Sequence, residues 1–279
     1  MVERSSDRAI GVRRLGFGVS GPHGTALVAP KATEHMIRHA FELGVRLFDT
    51  GPSYGNGEAE RRLGEAMRGL PRFDCIISTK VGVTSAGATR RIRDFSPDAV
   101  RRSIDASLRR LQMHRLDWLF LHGPAPSEIT DGLMKVIEDE QFAGRVGMLG
   151  VAGRGPEIDI ALATGKFSVF MAPVHAGLAD YNIDRLHQLK AKGAELVGIE
   201  CLAPALARFP APTSSGAAFR LAKAMIGRAG PGSARTMAPA DALGWALSNG
   251  GAHRVLTSTT SLDHLRQNAA AVESAPDAA

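Results

Sequence analysis

Cysteine is scarce in this sequence. Of its 279 residues only two are cysteines, Cys75 and Cys201, and both lie within apolar stretches. Since there is neither a CxxC pair nor a cluster of cysteine and histidine, a disulfide framework and a metal site are both disfavoured. We therefore predict two buried thiols and no bound metal.

Long hydrophobic runs are also missing. No apolar stretch approaches the roughly 18 residues that a membrane-spanning helix needs. The first residues, Met-Val-Glu-Arg-Ser-Ser-Asp-Arg, lack the apolar core of a signal peptide. Hydrophobic residues make up 44% and charged residues 22% of the chain, which is ordinary for a globular protein. We expect a cytoplasmic protein without a membrane partner.

Basic charge is scattered rather than concentrated. The formal net charge is +6 and the sequence pI is about 9.7, which by themselves favour nucleic acid or an anionic small ligand. Most arginines, however, are spread over segments with helical patterns. The one local basic cluster, Arg90-Arg91-Ile92-Arg93, contains no aromatic side chain. We therefore predict no nucleic-acid partner.

Strand and helix patterns alternate along the chain. About eight apolar strand-like runs, among them 45–50, 75–80 and 116–122, alternate with amphipathic helical segments, and an additional helix is predicted near 216–227. Such alternation requires parallel strands with right-handed crossovers, and eight units favour a closed (β/α)8 TIM barrel in one domain over residues 1–279. No GxGxxG turn follows the first strand, which disfavours a Rossmann fold. The segment after Lys80 is predicted to be a polar loop.

Three of the strand-like runs end in an ionisable residue: Asp49, Lys80 and His122. The carboxyl ends of parallel barrel strands meet at one face, and the turn after Asp49 brings Tyr54 to the same face. Asp49 is placed to pair with Lys80, whose charge favours a phenolate at Tyr54 and so lowers its pKa from about 10.

Such a tyrosine could exchange a proton with a carbonyl or alcohol oxygen, to which His122 could donate a hydrogen bond. This arrangement suits proton transfer coupled to hydride transfer at the adjacent carbon. A structural ion pair, a packing tyrosine and a core histidine would give the same pattern.

Further motifs accompany these four residues. They are Leu15-Gly16-Phe17-Gly18, Phe48-Asp49-Thr50 with Tyr54-Gly55, Glu60 to Gly64, Ser78-Thr79-Lys80, Leu121-His122, Gly144-Arg145-Val146 with Leu149-Gly150-Val151, and Ala242 to Leu247. With them the sequence resembles the aldo-keto reductase family over nearly its whole length. The resemblance implies a (β/α)8 oxidoreductase that uses NADP (NADPH) or NAD on a small-molecule carbonyl or sugar substrate.

The resemblance also implies roles for the four residues. Tyr54 is expected to act as the general acid in reduction and the base in oxidation, and Lys80 lowers its pKa. Asp49 is expected to hold Lys80, and His122 to orient the substrate oxygen.

Cofactor contacts follow from the same resemblance. The implied cofactor-binding residues are Gly18, Val19, Asp49, Ser258, Thr259, His264 and Asn268. Ser258 and Thr259 offer hydroxyl groups beside the N-terminus of the last helix, a favourable place for phosphate. Ser258 and His264 stand where the family often has a lysine and an arginine, so Arg266 or Arg235 is an alternative partner for a 2′-phosphate. Preference for NADP or NAD therefore stays open.

Some nicotinamide positions depart from the family pattern. Ala152 and Gly153 stand where the family usually has Ser-Asn, Met171 where it has glutamine, and Ile199 near the position of a stacking tyrosine. These departures leave a non-catalytic regulatory or binding protein on the same barrel as one alternative. The stretch 94–111 resembles the sugar dehydrogenases of the family, so an aldose dehydrogenase is the other alternative. The substrate pocket is expected in the loop after Lys80, the turn after His122 and the segment 204–212.

Overall fold

A closed barrel of parallel β-strands forms the centre of the protein in this computed structural model, which describes residues 12–87, 90–205, 215–225 and 237–276. The strands in these ranges are β1 (Leu15–Gly18), β2 (Leu47–Asp49), β3 (Ile76–Val81), β4 (Val83–Ala86), β5 (Arg90–Arg93), β6 (Leu116–His122), β7 (Val146–Ala152), β8 (Val169–Pro173), β9 (Glu195–Ile199) and β10 (Arg254–Thr257).

The barrel order is β1-β2-β3-β6-β7-β8-β9-β10, closing from β10 back to β1, and all of these pairings are parallel. The predicted (β/α)8 fold is confirmed. That residues 1–279 form a single domain stays a prediction.

Helices connect and cover the strands. They are α1 (Pro30–Glu42), α2 (Glu58–Met67), α3 (Pro97–Leu111), α4 (Asp131–Phe142), α5 (Pro156–Thr164), α6 (Asp180–Ala191), α7 (Ser215–Met225), α8 (Pro239–Leu247) and α9 (Leu262–Glu273). Helix α3 illustrates their logic, because proline stands at its first position and its apolar residues recur on one face that is buried against the barrel. Within the described ranges, no helix has both the length and the apolar character needed to cross a membrane.

The barrel interior is filled by side chains that alternate along the strands. An apolar cluster of buried residues occupies it: Leu47, Trp118, Phe120, Ala152, Val169, Met171 and Val197. Because strand side chains point inward at every second residue, Asp49 lies on the same face as Leu47, and His122 on the same face as Phe120. The polar residues at the strand ends therefore lie directly above the apolar side chains of the barrel interior. Cys75 and Cys201 are buried free thiols, as predicted.

The segment after Lys80 is a hairpin, so its prediction as a loop is wrong. Strands β4 and β5 pair antiparallel, with Ser85 opposite Arg91 and Val83 opposite Arg93. The four residues of β5 are all exposed, so the hairpin has little of the alternation of apolar and polar residues by which a half-buried strand is recognised. Its position depends instead on contacts with distant loops.

Two predicted features fall partly outside the described residues. In the segment 204–212 only residues 204 and 205 are described, and Arg235 is not. The helix predicted near 216–227 corresponds to α7, which spans Ser215–Met225.

Candidate active site

A buried ion pair stands at the carboxyl end of the barrel. Lys80 Nζ donates to Asp49 Oδ2 at 2.6 Å, to Asp49 Oδ1 at 2.8 Å and to the carbonyl oxygen of Thr50 at 2.7 Å. Ser78 Oγ adds a hydrogen bond to Asp49 Oδ1 at 2.7 Å. The side chains of Lys80 and Asp49 are only 2% and 3% exposed. The pairing of these two residues, predicted from the strand ends, is confirmed.

The surroundings of Lys80 keep it protonated. Burial, the strongest single influence, acts to lower its pKa. The charges of Asp49 and Tyr54 and the hydrogen bonds to both outweigh burial, so the pKa of Lys80 is raised above its usual value. A fixed positive charge therefore lies at the centre of the site.

Tyr54 and His122 stand beside this charge. Lys80 Nζ lies 5.0 Å from the centroid of the Tyr54 ring, and the rings of Tyr54 and His122 meet edge to face with centroids 6.2 Å apart. Burial, followed by the charges of Lys80, Arg91, Arg93 and Arg154, lowers the pKa of His122 to about 3. The imidazole is therefore neutral near pH 7, and its Nδ1 is buried without a hydrogen-bond partner in the described ranges.

A tight turn presents Tyr54. The backbone N–H of Tyr54 donates to Gly51 O at 3.0 Å, and Gly55 adopts a φ of +63°. A β-carbon at Gly55 would lie 1.8 Å from the carbonyl oxygen of Gly24, so both the φ and the close approach require glycine. The turn is therefore fixed against the loop that follows β1, and the direction of Tyr54 with it.

The residues predicted to bind cofactor are partly brought together. Gly18 lies opposite Asp49 in the sheet, and Val19 N–H donates to Asp49 O at 2.8 Å. Ser258 stands on the other side of Gly18, since a β-carbon there would lie 3.5 Å from Ser258 Cβ. Thr259 follows directly, and its carbonyl oxygen lies 2.9 Å from His23 Nε2. These positions form one continuous rim next to the ion pair.

His264 and Asn268 lie apart from each other on α9. His264 is exposed in the first turn of α9, where its backbone N–H donates to Ser261 Oγ at 3.4 Å. Asn268 is only 5% exposed, and its Nδ2 donates to Thr257 Oγ1 at 3.3 Å. Asn268 therefore lies beneath the rim, in contact with Thr257, rather than on the surface of the rim. Arg266 is exposed on the same helix, beside His39 at 3.2 Å.

This rim suits the phosphate end of a dinucleotide. Two hydroxyl groups, those of Ser258 and Thr259, precede the N-terminus of α9, where backbone amides and the helix dipole favour an anion. The nicotinamide positions offer less. Ala152 and Met171 are buried among the apolar residues of the barrel, and Gly153 N–H is bonded to Met171 O at 2.9 Å. The donor set therefore fits the phosphates, while Ala152 and Met171 contribute apolar surface.

An unexpected ion pair spans this side of the mouth. Arg154 follows β7 and pairs through both terminal nitrogens with Glu200, which follows β9. Glu200 has a φ of +56°, a left-handed conformation that is costly for a residue with a side chain. Neither Arg154 nor Glu200 is among the site residues predicted from the sequence. Their separation of 46 residues leaves no local signal of the pairing.

Other site residues were also missed. The sequence does not predict the hydrogen bond from Ser78 to Asp49 or the one from Lys80 to the carbonyl oxygen of Thr50. Arg93 was treated only as part of a basic cluster, yet its Nη2 donates to Gly123 O, next to His122, at 2.6 Å. Alternate residues of the cluster could have been tested for a strand, which would have placed Arg91 and Arg93 on one face.

A cavity also lies at the opposite end of the barrel. Its volume is about 630 Å³, and it is lined by residues at the amino ends of the strands, including Arg14, Arg46, Ile76, Glu195 and Arg254. In (β/α)8 barrels this end serves stability, whereas chemistry occurs at the carboxyl ends. We therefore assign the site to the mouth that holds Lys80.

The comparison with protein families agrees with this geometry. Residues 14–203 match the model described as the aldo/keto reductase family. The chain belongs to this family. The predicted family is thus confirmed.

Named relatives include sugar dehydrogenases. The chain is 32% identical over 207 residues to an L-galactose dehydrogenase from Arabidopsis thaliana, which covers 70% of this chain and 63% of that protein. It is 26% identical over 170 residues to a D-threo-aldose 1-dehydrogenase from a Pseudomonas species, covering 50% and 52%. The match therefore spans less than two thirds of each of these relatives.

Solved structures share the fold. An aldo-keto reductase from Bacillus halodurans in its holo form superposes with a TM-score of 0.75 at 23% identity, covering 94% of this chain and 87% of that one. An aldo-keto reductase from Klebsiella pneumoniae in complex with NADPH gives 0.68 at 21% identity, covering 95% and 87%. At these identities the likeness supports the barrel.

Proposed function

We propose that this chain is an NAD(P)(H)-dependent oxidoreductase that interconverts a carbonyl compound and an alcohol, with Tyr54 as the general acid and base. The observation that carries the proposal is the Tyr54 ring 5.0 Å from the ammonium of Lys80. A buried ammonium stabilises negative charge that develops on an oxygen beside it, which is the support that proton transfer at Tyr54 requires.

The nicotinamide, when bound, supplies or accepts the hydride. In reduction the Tyr54 hydroxyl donates a proton to the carbonyl oxygen, and in oxidation the phenolate accepts the proton of the alcohol. Lys80 stabilises that phenolate, and Asp49 holds Lys80 in place through two hydrogen bonds. His122, neutral because of its low pKa, donates one hydrogen bond to the same oxygen without competing for its proton.

For the cofactor, we propose that the rim of Gly18, Val19, Ser258 and Thr259 holds the phosphates. His264 and Arg266, both exposed on α9, are the described candidates for contact with a 2′-phosphate. Preference between NADP and NAD is part of the test below.

A sugar dehydrogenase is the second candidate. It is supported by the identity of 32% to an L-galactose dehydrogenase and of 26% to a D-threo-aldose dehydrogenase. Assays of aldose oxidation with both cofactors, set beside assays of aldehyde reduction, separate this candidate from a carbonyl reductase.

The test separates cofactor binding from chemistry. The purified protein is titrated with NADPH and with NADH while the fluorescence of Trp118 and Trp245 is followed, and turnover is then screened with aldehydes and aldoses. Tyr54→Phe is expected to bind the preferred cofactor as the unaltered protein does and to lose turnover by about 100-fold or more.

The chain provides a matched control, since Tyr181 is 67% exposed on α6. Tyr181→Phe should leave turnover unchanged. Full turnover by Tyr54→Phe would refute the acid/base role. Absence of binding by either cofactor would favour the non-catalytic alternative.

A further inference from the structure

Two hydrogen bonds fasten the hairpin β4–β5 over the catalytic residues. Ser85 Oγ donates to the carbonyl oxygen of Ser53 at 2.8 Å, one residue before Tyr54. Arg93 Nη2 donates to the carbonyl oxygen of Gly123 at 2.6 Å, one residue after His122. The hairpin therefore joins the two loops that present the tyrosine and the histidine.

The geometry of the hairpin places Arg91 on the catalytic side. In an antiparallel pair, directly opposite residues share a face, and so do residues two apart on one strand. Arg91 is opposite Ser85 and two residues from Arg93. Because both neighbours reach the catalytic loops, Arg91 lies on the face that borders Tyr54 and His122. Arg90 lies on the other face.

Of the described cations whose charges lower the pKa of His122, all but Arg91 are paired with a carboxylate. Lys80 is paired with Asp49, Arg93 with Glu128 at 3.0 Å, and Arg154 with Glu200. Arg91, which also belongs to the cations that act on His122, makes no hydrogen bond or ion pair within the described ranges.

The carboxylate of Glu157, next to Arg154, already has hydrogen-bond partners. Glu157 Oε1 accepts hydrogen bonds from the backbone amides of Arg154 and Gly155 at 2.6 and 3.0 Å, at the start of α5. The guanidinium of Arg91 therefore faces the mouth with its charge uncompensated.

We propose that Arg91 selects a substrate that carries an anionic group, a carboxylate or a phosphate, away from the reacting carbonyl or alcohol. This inference rests on the proposed function, since it concerns the substrate of the same site. A guanidinium recognises such groups by two parallel charge-assisted hydrogen bonds, which a hydroxyl of a neutral sugar cannot supply. The hairpin would thus fix the substrate at its charged end while Tyr54 and His122 engage its oxygen.

The test compares aldehydes that differ in charge. Succinate semialdehyde is set against butanal, and glyceraldehyde 3-phosphate against glyceraldehyde, each reduced with the cofactor that binds more tightly. The protein as it stands is expected to favour the charged member of at least one pair, which identifies carboxylate or phosphate. Arg91→Gln should raise KM for that member about tenfold to hundredfold and leave kcat nearly unchanged, because the lost contact is the same in ground and transition states.

Arg90→Gln is the matched control, because it removes the same charge from the other face of the same hairpin. It should leave both KM values unchanged. An equal rise of KM in the Arg90 and Arg91 variants, or no preference for either charged aldehyde, would overturn the inference. Weakening of NADPH binding by Arg91→Gln to the same degree as substrate binding would also overturn it, since Arg91 would then contact the cofactor.

A binding measurement keeps the inference separate from the proposed function. If none of the four aldehydes is reduced, the proposed function loses support, and calorimetric titration with succinate and with inorganic phosphate decides the question of the anion. Binding that is lost in Arg91→Gln and kept in Arg90→Gln supports an anion subsite. Binding that is equal in all three proteins, or absent from all three, rejects it.

Discussion

We expect the ion pair of Lys80 and Asp49 to be required for turnover but to add little to the free energy of unfolding. The perturbation is a cycle of three variants: Lys80→Met, Asp49→Leu, and the double variant. Each single substitution leaves one charge buried in a place that is 2% or 3% exposed. Removing one partner of a buried pair costs about 3–5 kcal/mol, because the remaining charge is neither solvated nor paired.

The double variant leaves no buried charge. It leaves the hydroxyl of Ser78 and the carbonyl oxygen of Thr50 without the partners they have now. Each of these two groups costs about 1–3 kcal/mol, a large part of which better apolar packing offsets. Additive single effects would sum to about 6–10 kcal/mol, so the coupling energy should be about 3 kcal/mol or more.

Equilibrium unfolding in urea at pH 7, followed by circular dichroism and by tryptophan fluorescence, measures these differences. A control is the pair of Arg254 and Glu195, at the other end of the barrel, whose side chains are 25% and 24% exposed. Glu195→Gln should cost about 1 kcal/mol or less, because water compensates its loss.

Turnover gives the second readout of the cycle. All three variants of the Lys80–Asp49 pair should lose it by about 100-fold or more, even where the double variant is as stable as the unaltered protein. Strict additivity of the two single effects, or a double variant that turns over substrate normally, would refute the reasoning.

The remaining predictions concern His122 and the turn of Tyr54. Because the pKa of His122 is about 3 in the fold against 6.5 for a free imidazole, the unfolded chain gains a proton below pH 6.5 that the fold cannot accept, and stability is lost as pH falls. Between pH 7 and pH 5 the free energy of unfolding should therefore fall by about 2 kcal/mol less in His122→Asn than in the unaltered protein. Urea unfolding at both pH values measures the two decreases, and equal decreases would contradict a neutral buried imidazole. Gly55→Ala should destabilise the protein by about 3 kcal/mol or more and reduce turnover, since the β-carbon would meet Gly24 O at 1.8 Å. Gly69 has a φ of +82°, and a β-carbon added there would have no neighbouring atom within 4 Å, so Gly69→Ala should lower stability by only about 1 kcal/mol. Similar losses of stability at Gly55 and Gly69 would contradict the predicted clash with Gly24.

The barrel and the grouping of Asp49, Lys80 and His122 could be predicted because both depend on local patterns. An apolar run that ends in a charged residue fixes where that residue stands once the strands are parallel. The hairpin could not be predicted in this way. Arg90 to Arg93 form a strand without a buried face, and its position is set by bonds from Ser85 and Arg93 to backbone carbonyls about 30 residues away.

The prediction of cofactor contacts had a different difficulty. Asn268 and His264 occupy positions that the family resemblance marks, but a position on a helix does not reveal which way its side chain is used. The Nδ2 group of Asn268 donates to Thr257, whereas His264 stays exposed. The pairing of Arg154 with Glu200 likewise depends on two loops that approach only in the folded barrel.

The charges at the mouth divide the proton chemistry among the residues. Lys80 is held protonated by Asp49, and its charge is one of the causes, after burial, that keep His122 neutral. Near pH 7 neither Lys80 nor His122 changes its protonation, so the proposed mechanism assigns proton transfer in both directions of the reaction to Tyr54. Removing Lys80 would take away one cause of the low pKa of His122, whereas burial, the largest cause, would remain, so the histidine is expected to stay neutral and unable to replace Tyr54 as the acid.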